Sequence, residues 1–272
     1  MVNLFTMNIF NLITRNFEQE VKPIERKFGW KRDLHDQNDY KFKVVAPVPT
    51  PLLVDLTPFC PPIYDQGDLG SCTANALAAA YEFEKMRQKQ PYFMPSRLFI
   101  YYNERVMEKT VKSDAGAALR DGIKSLDTQG VCPEDMWAYN VKKFASKPSC
   151  KCYSTAKKNE IKEYLAVNHT SIDDIRQCFA QGYPIAFGIS VYESFMSDEV
   201  ARTGIVPMPK PDESLEGGHA ILGVGYNDSK QMVIVRNSWG IDWGLKGYFL
   251  LPYEYITSTQ LASDFWTIRL VA

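Results

Sequence analysis

The rhythm of hydrophobic and polar positions changes twice along this chain. Residues 1–40 are mainly polar, dotted with the apolar and aromatic residues Phe5, Ile9, Phe10, Phe17, Phe28 and Trp30, and the first stretch reads as a short amphipathic helix. Pro47, Pro49, Pro51, Pro58, Pro61 and Pro62 follow, a density that excludes helix and gives an extended segment. The clearest boundary therefore falls near residue 45. Four helical patterns come next. Residues 72–88 are rich in alanine (Ala74, Ala76, Ala78, Ala79, Ala80), with Leu77, Tyr81 and Phe83 keeping one face apolar and Ser71 expected as the N-cap. Residues 96–107 place Leu98, Tyr101, Tyr102 and Arg105 at helical spacing. Residues 116–130 close on Gly130, and residues 171–182 start at Ser171 and close on Gly182. After Pro184 the texture becomes β-rich, with short runs at 184–192, 219–227, 231–239 and 247–255 separated by Gly, Asn-Asp and Pro.

Helices first and strands second predict an α+β fold in two lobes rather than alternating βαβ units. The expected organisation is an N-terminal extension, 1–45, followed by one domain, 46–272. Its helical lobe covers about 64–155, and its β-rich lobe about 156–272 together with 50–63.

A net charge of −1 gives no footprint for nucleic acid or an anionic membrane. No apolar run approaches the ~20 residues of a membrane helix. The N-terminus lacks the basic start and small-residue cleavage site of a secretory signal. Six cysteines are too few for a disulfide scaffold, and Cys150-Lys-Cys152 lacks zinc spacing and a nearby histidine cluster. There is no P-loop, dinucleotide fingerprint or HExxH, so no cofactor and no metal are expected.

Chemistry concentrates on one stretch, Tyr64 to Met86, in which Cys72 stands between a glycine-rich loop and a helix. A thiol at a helix start meets unpaired N–H groups and the positive end of the dipole, both of which favour a thiolate. Such a nucleophile needs an imidazole, and the chain has three. His35 lies in the extension, and His169 is expected to be solvated in a polar loop. His219 sits in "EGGHAILGVGY", where Gly217 and Gly218 permit close backbone approach. Asn237 in "RNSWGIDWG" is the candidate orienting group, with Trp239 beside it as a shield. With Cys72 set aside, five cysteines remain, an odd number that leans toward a reducing compartment, intracellular or within a virion.

Taken together, "DQGDLGSCTANA", "EGGHAILGVGY" and "RNSWGIDWGLKGYF" resemble the papain family of cysteine peptidases, the cathepsin-like enzymes. The resemblance runs from about Leu53 to the C-terminus. "FGWKRDLHDQND" and "VCPEDMWAYNVKKFASKPS" are further similar to a compact branch of bacteria and large DNA viruses of amoebae, in which a short N-terminal segment replaces a long propeptide. The resemblance implies a papain-like two-lobe fold with the active-site cleft between a helical and a β-barrel-like lobe. It implies catalysis by Cys72 and His219 as a thiolate–imidazolium pair, oriented by Asn237, with the Gln66 side chain and the Cys72 backbone N–H holding the oxyanion. "SDAGAALRD" resembles the loop that pairs with substrate backbone, with Ala115 and Gly116 as the edge. Ala117, Gly217, Gly218 and Ala220 are candidate pocket residues, and Trp239 would cover the His219–Asn237 bond.

Two departures stand out. Leu69 and Thr73 occupy positions where the family often has the first Cys and the Trp of Cys-Gly-Ser-Cys-Trp, so the usual loop disulfide is lost. No paired histidines suggest an occluding loop, which favours an endopeptidase. The expected partners are a peptide or protein substrate and the chain's own N-terminal segment, acting as a gate or only as a cap. No nucleic acid or membrane partner is expected, and the chain reads as a monomer. A Cys-dependent transpeptidase or transglutaminase and a catalytically silent binding or particle-structural protein remain the alternatives.

Overall fold

The computed structural model describes residues 26–34, 36, 39–43 and 47–272. In chain order the elements are β1 (Trp30–Lys31), β2 (Leu53–Asp55), α1 (Cys72–Arg87), α2 (Arg97–Met107), β3 (Ala117–Ala118), α3 (Leu119–Thr128), α4 (Cys150–Ala156), β4 (Ile161–Ala166), α5 (Ile172–Ala180), β5 (Ile185–Tyr192), α6 (Asp198–Thr203), β6 (Leu215–Asn227), β7 (Met232–Arg236), β8 (Tyr248–Pro252), α7 (Tyr253–Thr257) and β9 (Ala262–Val271). The large sheet runs β4-β9-β5-β6-β7-β8, with β2 paired onto β6. All its pairings are antiparallel. Helices thus dominate one half and a sheet the other, the two-lobe α+β arrangement expected of the sequence.

The lobes meet along α1, which packs against β6 and β9 on one side and against α2 and α3 on the other. The expectation of a single apolar face does not hold. Cys72 through Lys85 are all buried. Alanines at five positions let neighbours approach from every direction, so the helix becomes a central rod. Its acidic residues are satisfied where they stand. Tyr92 and Tyr64 donate hydroxyls to Glu82, the former at 2.5 Å, and Glu84 pairs with Arg87 at 2.8 Å. Buried carboxylates without such partners would be strongly destabilising.

Ser96 and Ser171 cap α2 and α5, accepting from Phe99 N at 3.1 Å and Asp174 N at 3.2 Å. Ser71 does not cap α1, contrary to expectation. Its hydroxyl is engaged by the Tyr139 hydroxyl at 2.5 Å and by Asn75 Nδ2 at 3.0 Å.

The stretch 116–130 also departs from its pattern. Ala117 and Ala118 form β3, which pairs in parallel with β1 in the register Trp30↔Ala117 and Lys31↔Ala118, and helix begins only at Leu119. Pairing with the N-terminal segment outweighs helix propensity there. The Pro-rich stretch is held against the sheet, because Arg236 donates to the carbonyls of Pro61 and Pro62 at 2.6 and 2.5 Å. β4, β9 and the short helices α4, α6 and α7 have no counterpart in the periodicity. All six cysteines are free, and among the described residues no helix is long and apolar enough to cross a membrane.

Candidate active site

Three elements deliver the site. α1 opens on Cys72, β6 carries His219, and the turn after β7 carries Asn237. The backbone N–H groups of Ala220, Gly29 and Thr73 lie near enough to the Cys72 sulfur to favour its thiolate. Ala220 directly follows His219, so the sheet brings the imidazole to the start of the central helix. His219 Nε2 lies 2.8 Å from Asn237 Oδ1. That oxygen also accepts from Ser238 N at 2.8 Å, so Nε2 carries the ring proton. Nδ1 is then the basic nitrogen, and it has no hydrogen-bond partner. Trp239 stacks on the imidazole, with ring centroids 4.7 Å apart and planes 26° from parallel. Gln66 is tied into the same constellation. Its Oε1 accepts from Ser238 Oγ at 2.7 Å, and its Nε2 donates to Leu69 O at 3.0 Å.

Residues 26–31 run across these groups. Gln66 Nε2 also donates to Lys27 O at 3.2 Å. Phe28 stands edge-on to both His219 and Trp239, with centroids 6.4 and 6.3 Å away. Gly29 lies so close to the loop before Cys72 that an added Cβ would sit 1.8 Å from Gly70 O. Its carbonyl accepts from Ala117 N at 2.7 Å. The Trp30 ring fills a slot beside Gly188 and Gly218 and donates its indole N–H to Asp264 Oδ2 at 2.9 Å. Arg26 spans the Trp239 face at 5.5 Å and donates to Trp239 O at 2.9 Å.

This cover sets the electrostatics. Burial pushes the Cys72 thiol up to about 11, against the pull of the backbone donors around it. Burial also lowers the His219 imidazole to about 4, outweighing its hydrogen bond to Asn237. Burial of both groups under the segment thus favours a neutral thiol and a neutral ring over the expected thiolate–imidazolium pair. A helix terminus contributes about 0.3–1 kcal/mol to an exposed anion, too little to offset complete removal from water.

Other expectations land as follows. The chain's own segment pairs with Ala117 and Ala118, directly after the Ala115 and Gly116 expected as the substrate-pairing edge. Gly116 instead makes a close backbone approach, where an added Cβ would lie 2.1 Å from Gly29 O. Gly217 abuts Phe28, Gly218 abuts Trp30, and Ala220 is buried beside the sulfur. His169 is half-buried rather than freely solvated. It stacks on Phe265 at 4.8 Å and 9°. His35, Phe5, Ile9, Phe10 and Phe17 lie outside the described residues. Ser238, Arg26 and Asp264 enter the site unannounced. Ser238 lay inside the "NSWG" motif as a readable signal, whereas Asp264 in "LASDFW" carried none. Among the described residues no group of His, Cys, Asp and Glu could hold a metal ion.

One protein family matches most of the chain. Residues 55–265 match the model for papain family cysteine proteases. A peptidase C1-like protein of Acanthamoeba polyphaga mimivirus is 49% identical over 213 residues, covering 75% of this chain and 68% of the relative. Bovine pro-cathepsin H is 27% identical over 206 residues, and the match spans 56% of its length. The crystal structure of xylellain, a cysteine protease from Xylella fastidiosa, superposes with a TM-score of 0.84 at 44% identity, covering 93% of this chain and all of that one. The chain belongs to the papain family of cysteine proteases.

Proposed function

We propose that this protein is a cysteine endopeptidase held latent by its own N-terminal segment. Cys72 is the nucleophile, His219 the acid and base, and Asn237 the group that orients the ring. The Gln66 amide and the Cys72 backbone N–H receive the oxyanion. The observation that carries the reading is the 2.8 Å bond from His219 Nε2 to Asn237 Oδ1. It leaves Nδ1 as the free base on the strand whose next residue, Ala220, has its backbone N–H near the Cys72 thiol.

In the reaction the thiol proton passes to His219, and sulfur attacks a peptide carbonyl carbon. The C–N bond breaks as His219 returns the proton to the amine. Water, losing its proton to His219, then cleaves the thioester and restores the thiol. Each step needs the segment gone. Lys27 O holds the Gln66 donor, Gly29 covers the sulfur, and both titrating groups stay neutral while dry. Readmitted water and the first-turn amides of α1, which Ser71 leaves uncapped, would bring the thiol down and let the ion pair form. Assaying a fluorogenic peptide with a chain whose segment is loosened by Gly29→Ala, and with the same chain also carrying Cys72→Ala, tests this. Hydrolysis by the first and none by the second is expected, and equal hydrolysis by both would remove the assignment.

A further inference from the structure

We propose that the lysine-rich ridge of residues 142–158, on the helical lobe beside the loop that carries Gln66, is a docking surface for an acidic stretch of a protein substrate. This deepens, and rests on, the peptidase reading above.

The whole-chain balance hides this charge. The chain has a net charge of −1, yet residues 136–159 contain Lys142, Lys143, Lys147, Lys151, Lys157 and Lys158 and no Asp or Glu. All six lysines are exposed. Lys157 is occupied by Glu160 at 2.8 Å, and Lys143 lies over the Trp137 ring at 5.7 Å. Lys142, Lys147, Lys151 and Lys158 have no ion-pair partner among the described residues. Like charges held this close repel one another, and an anionic chain lying across several of them relieves that repulsion.

The backbone beneath the lysines is tied down. Asn140 opens a single turn, Val141–Lys143, by accepting from Lys142 N at 3.0 Å, and Arg105 donates to Phe144 O at 2.6 Å. Ser149 then caps α4, whose Cys152 and Ala156 are buried, leaving Lys151 and Lys158 exposed two turns apart. Tyr153 donates to Asn103 Oδ1 at 3.0 Å. A surface fixed in this way loses little freedom when a partner docks. The ridge also begins beside the chemistry. Tyr139 donates its hydroxyl to Gln66 O at 2.8 Å, and a Cβ on Gly67 would lie 4.0 Å from Val141 Cγ1. Asp65 and Asp68, exposed on the same loop as Gln66, repel carboxylates from the reacting centre, so the acidic stretch belongs some residues away from the bond that is cut. An extended polypeptide reaches both places at once. Trp137, Tyr139, Phe144 and Tyr153 are packed against the core rather than free to stack on bases, which argues against nucleic acid.

The test uses peptides that share one cleavable core and carry, through a flexible glycine-serine spacer, a tail of glutamates or a tail of glutamines. Fluorescence anisotropy of the labelled peptides on the full chain carrying Gly29→Ala and Cys72→Ala reads affinity, and kcat/KM on the chain carrying Gly29→Ala alone reads turnover. In low salt the glutamate tail should raise both by about tenfold or more, since each exposed lysine–carboxylate contact is worth about 1.5- to 5-fold. The advantage should vanish in ~1 M salt, where the screening length falls to about 3 Å. Lys142→Gln, Lys147→Gln, Lys151→Gln and Lys158→Gln together should bring the two tails to parity. Lys89→Gln, Lys112→Gln, Lys210→Gln and Lys246→Gln together make the same change in net charge and should keep most of the advantage. Equal loss in both variants would make the effect one of net charge and overturn the proposal, as would a glutamate tail with no advantage. A single-stranded oligonucleotide that binds through the same four lysines while the glutamate tail gains nothing would assign the ridge to nucleic acid, which also overturns it. Tail-dependent binding without hydrolysis of either peptide is a different result, since it keeps the docking surface and removes the peptidase reading itself.

Discussion

Gln66 donates its side-chain amide to the carbonyl oxygen of Lys27 at 3.2 Å, so the donor proposed for the oxyanion is already occupied by a peptide carbonyl from the same chain. The bond is one of a series. Arg26 on Trp239, Phe28 on His219 and Trp239, Gly29 against Gly70 and Trp30 on Asp264 fix the segment residue by residue over the proposed catalytic groups. A local change in the segment should therefore alter access to Cys72 without unfolding the lobes.

Gly29→Ala is the sharpest such change. The new methyl group would meet the Gly70 carbonyl at 1.8 Å, and neither backbone can yield without breaking the Ala117 pairing. Overpacking of this kind costs about 1–3 kcal/mol, so docking should weaken roughly ten- to hundredfold. The rate at which a small thiol electrophile modifies Cys72 should rise accordingly, while the melting temperature of the rest of the fold changes little. An unchanged modification rate would mean that the segment does not control access.

Gln66→Ala separates binding of the transition state from reactivity of the thiol. Loss of one oxyanion donor should lower kcat by about 10²–10³. Alkylation of Cys72 should not fall, because the His219–Asn237 bond remains and the Lys27 contact is lost. Stopped-time hydrolysis beside alkylation kinetics distinguishes the two, and a parallel fall in both rates would place Gln66 in a structural role instead.

Docking of the segment is linked to two protons of opposite sign. His219 is lowered to about 4 when covered, so docking favours the neutral ring and loses support as pH falls from about 6.5 toward 4. Asp33 is raised to about 7 when covered, so docking favours its protonated form and loses support as pH climbs from about 4 toward 7. Over pH 4–6.5 the two contributions run against each other, and docking should be nearly independent of pH. Asp33→Asn removes one of them. In that variant hydrogen-exchange protection of residues 26–34 should drop on acidification by up to about tenfold per pH unit. Protection as flat as in the unsubstituted chain would show that His219 is not desolvated by the segment.

Much of the site could be read from the sequence because its members sit in short, chemically unusual motifs. Gln66, Cys72, His219, Asn237 and Trp239 all come together. What escaped depends on contacts between distant parts of the chain. The cap expected at Ser71 fails because Tyr139, sixty-eight positions away, takes the hydroxyl. The helix expected from residue 116 starts late because Trp30 and Lys31 claim Ala117 and Ala118 as strand partners. β9 is hard to see because its Asp264, Thr267 and Arg269 break the apolar run, yet those side chains serve the slot, the Pro184 carbonyl and Gln181. The effect of burial on the pair escaped for the same reason: a helix N-terminus is visible in a sequence, whereas the cover that dries it is not.

The most direct measurement is a mass-spectrometric map of adducts after the Gly29→Ala chain reacts with a peptidyl epoxide. Six free thiols compete, so the map is a choice rather than a yes or no. A single adduct on Cys72, lost in a Cys72→Ala background and slowed by His219→Ala, is the predicted result. Adducts spread over Cys60 and Cys150, or labelling that survives removal of Cys72, would contradict the account.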